Sequence, residues 1–208
     1  MSGLLLKELY MARKYCRLHL VITVLFLGMA MLPSAENLFL LFYPSAMASF
    51  IPVTLLSYDT QSKWDVYFDT LPTSRAQYVS AKYLIGLIYG EFVLGLTALT
   101  QLLAMKLNAE GDLNQLWSLL CAIQFLAITP PALCLPLIFK WGVEKGRIVF
   151  LVMIGVVCGG SAVLALNVND GGIFSLPGNL TAWLLLGAIV LYALSWRLSI
   201  RLYRTREL

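Results

Sequence analysis

Charged side chains, histidine and closely spaced cysteines are scarce in this sequence. Only 12% of its 208 residues are charged, whereas 60% are hydrophobic. Soluble domains carry about 25% charged residues, so the composition excludes an ordinary soluble domain. The single histidine, His19, excludes a histidine-rich metal centre. The cysteines lack the two-residue spacing of zinc and redox sites, and we expect them to pack as small hydrophobic side chains: Cys16, Cys121, Cys134 and Cys158.

The sequence also lacks the motifs of catalysis and nucleotide binding. No glycine-rich stretch leads into Gly-Lys-Ser or Gly-Lys-Thr, which excludes a phosphate-binding loop. A single histidine cannot supply the ligands of a metalloprotease, and its place beside the predicted inner interface does not suit the base of a membrane serine protease. We therefore expect a protein that is not an enzyme and that holds no cofactor of its own.

Long apolar segments fill most of the chain. About 20 apolar residues are enough for a helix to cross a hydrocarbon core of roughly 30 Å. We predict an all-α integral membrane protein, formed by residues 1–208 as one transmembrane domain. Its six predicted spans are Leu18–Ala35, Leu38–Ser57, Tyr83–Met105, Leu116–Phe139, Ile148–Leu166 and Leu180–Trp196.

The distribution of Lys and Arg predicts the orientation of these spans. Of the 15 basic residues, 14 fall within residues 7–17, 63–82, 140–147 and 197–206. Cytoplasmic loops are enriched in basic residues, so both termini are expected in the cytoplasm. The exception, Lys106, ends the third span, where a long side chain reaches the interface. The net charge of +4 follows from the same bias and is no argument for binding nucleic acid.

Residues 2–17 predict an amphipathic helix at the inner membrane surface. An apolar face and a basic arc suit a helix that lies in the interface. The apolar face comprises Leu5, Leu9, Ala12 and Cys16, and the basic arc comprises Lys7, Arg13, Lys14 and Arg17. Simple anchoring of the bundle is the favoured use of this helix, and a gating role is the alternative.

The cytoplasmic loop 58–82 carries two helix-start patterns. Ser62 followed by Asp65, and Ser74 followed by Gln77, both have the spacing of a capping box. The first predicts a short helix that begins near Lys63. Its aromatic and apolar residues recur at helical spacing: Trp64, Tyr67, Phe68 and Leu71.

The second pattern predicts a long helix that starts at Arg75 and becomes the third span. From Arg75 to Lys106 it measures about 48 Å at 1.5 Å per residue, so its first turns project into the cytoplasm. The short aromatic helix is therefore held beneath the membrane. It packs either on its own bundle or in a groove of a partner protein, and the residues leave both uses open.

Glu91 is an ionisable residue within a predicted span. A carboxylate at this depth faces a cavity, a partner or a proton path. Its candidate polar neighbours are Gln101, Gln124 and Tyr89. A protonated carboxyl that joins two helices and a site for cationic or amphipathic cargo are the two interpretations.

Helix-breaking and small residues mark further features of the spans. Prolines are expected to interrupt the second span, at Pro44 and Pro52, and the fourth span, at Pro130, Pro131 and Pro136. Small residues four apart allow close helix approach, at Gly86 and Gly90 in the third span and at Gly155 and Gly159 in the fifth.

The loop contains the motif Asp59-x-x-x-Lys63-Trp64-Asp65-x-Tyr67-x-x-Thr70-Leu71-Pro72-x-Ser74-Arg75, followed by Val79-x-x-Lys82-Tyr83. This motif resembles a signature of type-2 ATP-binding-cassette (ABC) exporter permeases, including those of phenol-soluble modulin and similar peptide exporters. The start, Leu4 to Tyr10, is also similar to that of the family.

The resemblance implies two permease chains paired with two ATP-binding subunits, which bind ATP and Mg²⁺, in a bacterial plasma membrane. It implies export of an amphipathic peptide, with cationic, antimicrobial and modulin-like peptides as the candidate classes. The loop 58–82 would contain the coupling helix that contacts the ATPase. The implied coupling residues are Asp59, Lys63, Trp64, Asp65, Tyr67, Phe68, Asp69, Leu71 and Arg75. Glu91, Gln101 and Gln124 are the candidates for the substrate pathway. A stand-alone secondary carrier or membrane scaffold without an ATPase is the alternative.

Overall fold

The computed structural model describes residues 2–31, 38–68, 70, 73–108, 113–142, 145, 148, 152 and 178–204. In these ranges every regular element is an α-helix, which confirms the predicted all-α class for this part of the chain. The helices are α1 (Ser2–Tyr15), α2 (Arg17–Met29), α3 (Leu38–Ala48), α4 (Ile51–Gln61), α5 (Trp64–Phe68), α6 (Arg75–Asn108), α7 (Leu113–Trp141) and α8 (Gly178–Arg204).

Among the described residues, four helical segments are long and apolar enough to cross a membrane. They are Phe39–Gln61, Arg75–Leu107, Leu116–Trp141 and Ala182–Tyr203, and they match the predicted second, third, fourth and sixth spans. Helix α2 has 13 residues, about 20 Å, and residues 32–37 of the first predicted span lie outside the described residues. The fifth predicted span lies outside them too, except for Ile148 and Val152. The number of six spans and the orientation stay predictions.

The second span consists of two helices. Helix α3 continues through Pro44, and the break falls at Ser49 and Phe50, just before Pro52 in the first turn of α4. Proline fits this position because the first turn of a helix needs no backbone N–H donor. The expected interruption of the fourth span is wrong, because α7 runs without a break through its three prolines. Neighbouring helices compensate for freed backbone groups in such spans.

The core lies where α6, α7 and α8 meet. The hydroxyl of Tyr83 is 2.7 Å from the hydroxyls of both Ser195 and Ser199, and Tyr192 donates to the Tyr83 carbonyl at 2.8 Å. Trp196 stacks on the Tyr83 ring at 5.6 Å between centroids. These buried polar contacts fix α8 against α6, because a buried hydroxyl that loses its partner costs about 1–3 kcal/mol.

Helix α1 buries part of the predicted face. The buried side chains are Leu4, Glu8, Ala12 and Cys16, whereas Leu9 is 48% exposed. Ala12 and Cys16 are buried as predicted, but Glu8 takes the place expected for Leu9 because Glu8 has buried cationic partners. The remaining basic residues of the segment are exposed, as predicted: Arg13, Lys14 and Arg17.

The described cysteines confirm the expected packing role. Cys16, Cys121 and Cys134 are buried and form no disulfide. Burial raises the pKa of the Cys16 thiol, which favours its neutral form. Cys158 lies outside the described residues.

Helices α4 and α6 approach closely at Gly86. A Cβ atom placed there would lie 3.1 Å from Cγ of Pro52, whereas a Cβ atom at Gly90 would meet no atom within 4 Å. Only the first residue of the predicted Gly86–Gly90 pair therefore permits close packing within this chain. Gly155 and Gly159 lie outside the described residues.

We expect Gly86→Ala to destabilise the protein relative to Gly95→Ala. Both changes add the same methyl group to α6, but a Cβ atom at Gly95 meets nothing within 4 Å. Overpacking against the stiff Pro52 ring should lower the free energy of unfolding of the first variant by about 1–3 kcal/mol relative to the second. Denaturant unfolding in detergent measures the difference, and equal stabilities would show that the two helices separate freely here.

Candidate functional site

The connection between α4 and α5 is a tight turn. Lys63 lies between the two helices with φ of 54°, a left-handed conformation for a non-glycine residue. Ser62 donates its hydroxyl to the Asp59 carbonyl at 3.1 Å. Ser62 therefore contributes to the end of α4. The side chain of Asp65, its partner in the predicted capping box, lies outside the described residues, so that capping box stays a prediction. Helix α5 begins at Trp64, one residue after the predicted start.

The aromatic residues of α5 point in different directions. Tyr67 is 56% exposed, whereas Phe68 is completely buried. The Phe68 ring packs on Tyr78 of α6, with 4.9 Å between centroids. Trp64 is partly buried against the core. The aromatic residues that recur at helical spacing therefore do not share one environment. Phe68 holds α5 to the bundle, and Tyr67 faces outward.

The second capping box is confirmed. The backbone N–H of Gln77 donates to the Ser74 hydroxyl at 3.3 Å, and the Ser74 N–H donates to Oε1 of Gln77 at 3.4 Å. These reciprocal bonds satisfy two N–H groups at the start of α6. They fix the first turn at Arg75, where the prediction placed it.

Four charged residues form a buried ion cluster beside α5. The cluster comprises Lys7 and Glu8 of α1, Asp59 of α4 and Lys82 of α6. Glu8, Asp59 and Lys82 have side chains at most 1% exposed, and the Lys7 side chain is 22% exposed. Two positive and two negative charges leave the cluster neutral. It joins three helices that are far apart in the sequence.

Each carboxylate of the cluster contacts both lysines. Asp59 lies 2.5 Å from Nζ of Lys7 and 2.5 Å from Nζ of Lys82, and it also accepts a hydrogen bond from the Tyr78 hydroxyl at 3.0 Å. Glu8 lies 3.1 Å from Lys7 and 2.7 Å from Lys82. The four side chains thus form a closed ring of ion pairs, in which every charge has two partners of opposite sign.

The cluster reaches α5 through Lys7. Its ammonium nitrogen lies 4.5 Å from the centroid of the Trp64 ring, and a partly desolvated cation–π contact of this kind is worth about 1–2 kcal/mol. Lys82 lies 5.5 Å from the ring of Tyr78, on which Phe68 packs. Helix α5 is therefore attached to α1 and α6 by both of its inward-facing aromatic residues.

The predicted coupling residues thus occupy different environments. Asp59 is buried in the ion cluster, Arg75 is partly buried, and Lys63 and Tyr67 are exposed. The side chain of Asp65, and Asp69 and Leu71 entirely, lie outside the described residues. Within the described chain the coupling segment therefore offers an exposed surface around Tyr67 and a buried attachment at Asp59.

The roles of Glu8 and Tyr78 at the ion cluster were not predicted from the sequence. The inward direction of Lys7 and Lys82 was not predicted either. Both lysines were assigned to basic patches facing the inner surface. The available signal was Glu8, which shares a helical face with Leu4, Ala12 and Cys16 at four-residue spacing. A carboxylate on such a face needs a buried cation.

A second polar contact lies within the spans, between α6 and α7. Gln124 donates from Nε2 to Oε1 of Glu91, as the sequence analysis anticipated. Gln101 lies ten residues beyond Glu91 on α6, about 15 Å along the axis, and is not part of this contact. The Tyr89 hydroxyl instead lies 2.7 Å from Nδ1 of His19.

Glu91 and Gln124 border a small cavity of about 20 Å³ between α4, α6 and α7. Gln124 is 8% exposed, and its Oε1 atom has no hydrogen-bond partner among the described residues. The Glu91 side chain is exposed at the surface of the single chain. No group of metal-binding side chains occurs in the described part of the chain.

A comparison with protein families matches nearly the whole chain. A family model described as ABC-2 family transporter protein matches residues 3–204. No curated protein and no solved structure matches the chain. The match includes the ion cluster, helix α5 and the Glu91–Gln124 contact.

We expect Lys82→Met to destabilise the protein strongly, with Lys106→Met as a matched control on the same helix. Loss of Lys82 leaves an excess negative charge in a buried site, which typically costs about 3–5 kcal/mol. Lys106 is exposed, and its replacement should change the free energy of unfolding by less than about 0.5 kcal/mol. Denaturant unfolding of both variants measures the difference.

Combining Glu8→Gln with Lys82→Met should restore part of the lost stability. The double variant keeps a neutral pair, Lys7 and Asp59, whereas each single variant carries one uncompensated charge. The double variant should be about 1–3 kcal/mol more stable than the sum of the single effects predicts. Additive effects would show that Glu8 and Lys82 act independently.

Proposed function

Because the chain belongs to the ABC-2 family of transporter proteins, we propose that it is the permease subunit of an ATP-binding-cassette exporter. Permeases of this family are membrane transport components, are not themselves catalytic, and generally work with an ATP-binding subunit. In the proposed exporter, ATP and Mg²⁺ bind to that partner. This chain supplies the path across the membrane.

The observation that carries the proposal is the attachment of α5 to the spans. Helix α5 lies between α4 and α6, holds Phe68 in the core and exposes Tyr67. We propose that the exposed side of α5, with Tyr67 and Lys63, fits a groove of the ATP-binding subunit. Aromatic side chains are common anchors of such interfaces because they bury a large area with little loss of conformational entropy.

The ion cluster gives the path by which movement of α5 reaches the membrane. Displacement of α5 acts on Lys7 through Trp64, and the cluster links Lys7 to Lys82 of α6. Helix α6 is 34 residues long, about 50 Å, so it carries a displacement at its cytoplasmic end across the whole bilayer. In this scheme Asp59 positions the coupling helix from within and does not contact the ATPase.

The proposed assembly contains two copies of this chain and two ATP-binding subunits, in a bacterial plasma membrane. Each chain has six spans and both termini in the cytoplasm. The cargo is an amphipathic peptide. Glu91 supports a cationic cargo, because its described partner is a neutral amide and a carboxylate within a span pairs favourably with a cation.

We expect Tyr67→Ala and Phe68→Ala to have different effects. Tyr67 is exposed, so its loss should weaken binding of the ATP-binding subunit about tenfold or more, as for an aromatic anchor worth about 2 kcal/mol. Stability of the permease alone should be unchanged. Phe68 is buried, so its loss should lower the free energy of unfolding by about 3–5 kcal/mol. Binding and ATPase stimulation are measured with the ATP-binding subunit that co-purifies with the wild-type chain in mild detergent.

Thr70→Ala provides a control at an exposed position close to α5. Its hydroxyl donates only to the nearby Tyr67 carbonyl in the described chain, so binding should change less than about threefold, within about 0.6 kcal/mol. Unchanged ATPase binding by Tyr67→Ala would contradict the proposed docking surface. Failure of the wild-type chain to bind any ATP-binding subunit would favour a stand-alone secondary carrier or a membrane scaffold.

A further inference from the structure

We infer that Glu91, Gln124 and the cavity beside them bind one primary ammonium group of the exported molecule. This inference rests on the proposed exporter function and names the chemical group that the transport path recognises. A lysine side chain or a free N-terminal amine of a peptide supplies such a group.

Glu91 has no cationic partner among the described residues. Its contact within the described chain is the neutral Gln124 amide. Lys82 lies nine residues away on α6, about 13 Å along the axis, and is engaged by Glu8 and Asp59. Carboxylates within spans pair with a cation or face a water-filled cavity. The exposed position of Glu91 allows the cation to come from outside the chain.

The side-chain oxygen of Gln124, Oε1, has no hydrogen-bond donor among the described residues. The amide is more than nine-tenths buried, its Nε2 is used by Glu91, and its Oε1 accepts no hydrogen bond from the described residues. A buried acceptor without a donor costs about 1–3 kcal/mol. A ligand that donates hydrogen bonds to both Glu91 and Gln124 removes this cost.

The other polar side chains at the cavity also present hydrogen-bond acceptors to a ligand. Ser49 donates its hydroxyl hydrogen to the Ala46 carbonyl at 2.6 Å, and Tyr192 donates to the Tyr83 carbonyl at 2.8 Å. Their oxygen lone pairs are left to accept hydrogen bonds. An ammonium group has three donors and no acceptor, so it suits this lining better than water, which also needs donors around it.

A proline adds to the acceptor character of the lining. Pro131 and Ala127 both border the cavity. A proline has no N–H, so it cannot donate to the carbonyl four residues earlier. Helix α7 is continuous at this point, so the Ala127 carbonyl lacks the hydrogen bond that residue 131 would otherwise donate.

The small volume of the cavity favours a small ligand group. The cavity has a volume of about 20 Å³, which is enough for one water-sized group. A primary ammonium has a single non-hydrogen atom, whereas guanidinium has four and trimethylammonium has four. Gly90 borders this space. The site should therefore select amines over larger cations of the same charge.

The test compares cationic probes that share one alkyl tail. The full chain in lipid nanodiscs is titrated with octylammonium, octylguanidinium, octyltrimethylammonium and neutral octanol, and binding is measured by calorimetry. We expect octylammonium to bind the wild type at least tenfold more tightly than the other three probes. Equal binding of the three cations, or binding of octylammonium no tighter than octanol, would overturn the inference.

Three variants locate the binding. Glu91→Gln should weaken octylammonium binding at least tenfold. Gln124→Leu should weaken it by removing the amide acceptor without removing the carboxylate, whereas Gly95→Ala, outside the cavity on α6, should bind like the wild type. Unchanged binding in Glu91→Gln or Gln124→Leu would place the bound amine elsewhere and overturn the inference.

A competition experiment distinguishes an ammonium site from a site for alkali-metal ions. Sodium chloride and choline chloride are compared as competitors at equal ionic strength, and full displacement of octylammonium by equimolar sodium would overturn the ammonium assignment. The titration contains no ATP-binding subunit, so its failure leaves the docking of α5 untouched. A failed docking experiment likewise leaves a positive titration standing.

Discussion

The neutrality of the buried ion cluster is the constraint on which the cytoplasmic end of the bundle depends. Lys7, Glu8, Asp59 and Lys82 are stable out of water only together, because any one of them alone would be a buried uncompensated charge. Hydrophobic residues of similar volume would hold α1, α4 and α6 together equally well. What the ions add is a fixed arrangement: each carboxylate contacts one lysine from α1 and one from α6.

This arrangement determines how α5 is presented. The turn at Lys63 directs the chain away from α4 immediately after Asp59 is placed in the cluster. Trp64 then lies against Lys7, and Phe68 lies against Tyr78, the same tyrosine that donates to Asp59. A helix of five residues is too short to be stable alone. Its position is therefore set by contacts with the cluster, and its exposed side follows from them.

Local signals in the sequence predicted the helices and their starts well. The capping box at Ser74 and Gln77 located the start of α6 because both partners lie within one helical turn. The contact of Glu91 with Gln124 was also anticipated, since apolar spans offer a carboxylate few polar neighbours. The family match confirms the ABC-2 class that the loop motif suggested.

Contacts between distant parts of the chain could not be predicted in this way. Glu8 and Lys82 are 74 residues apart, and hydropathy alone assigns both to a polar surface. The inward direction of Phe68 depends on its contact with Tyr78, which lies on α6 and so cannot be found from the periodicity of α5. The Ser62 hydroxyl donates to the Asp59 carbonyl of the preceding helix, a bond that the spacing of Ser62 and Asp65 does not predict. Each error concerns a residue whose partner lies on another element.

The two charged sites on α6 lie on opposite sides of the helix. Lys82 and Glu91 are nine residues apart, so at about 100° per residue they project from roughly opposite sides of the helix. Lys82 faces the cluster with α1 and α4, and Glu91 faces Gln124 on α7. The first site has its charge fully compensated within the chain, whereas the second has a carboxylate with a neutral amide as its described partner.

A movement of Lys82 with the ion cluster rotates α6 about its axis. This rotation changes the distance between Glu91 and Gln124. In the proposed exporter, the same rigid helix thus connects the helix that meets the ATPase with the group that meets the cargo.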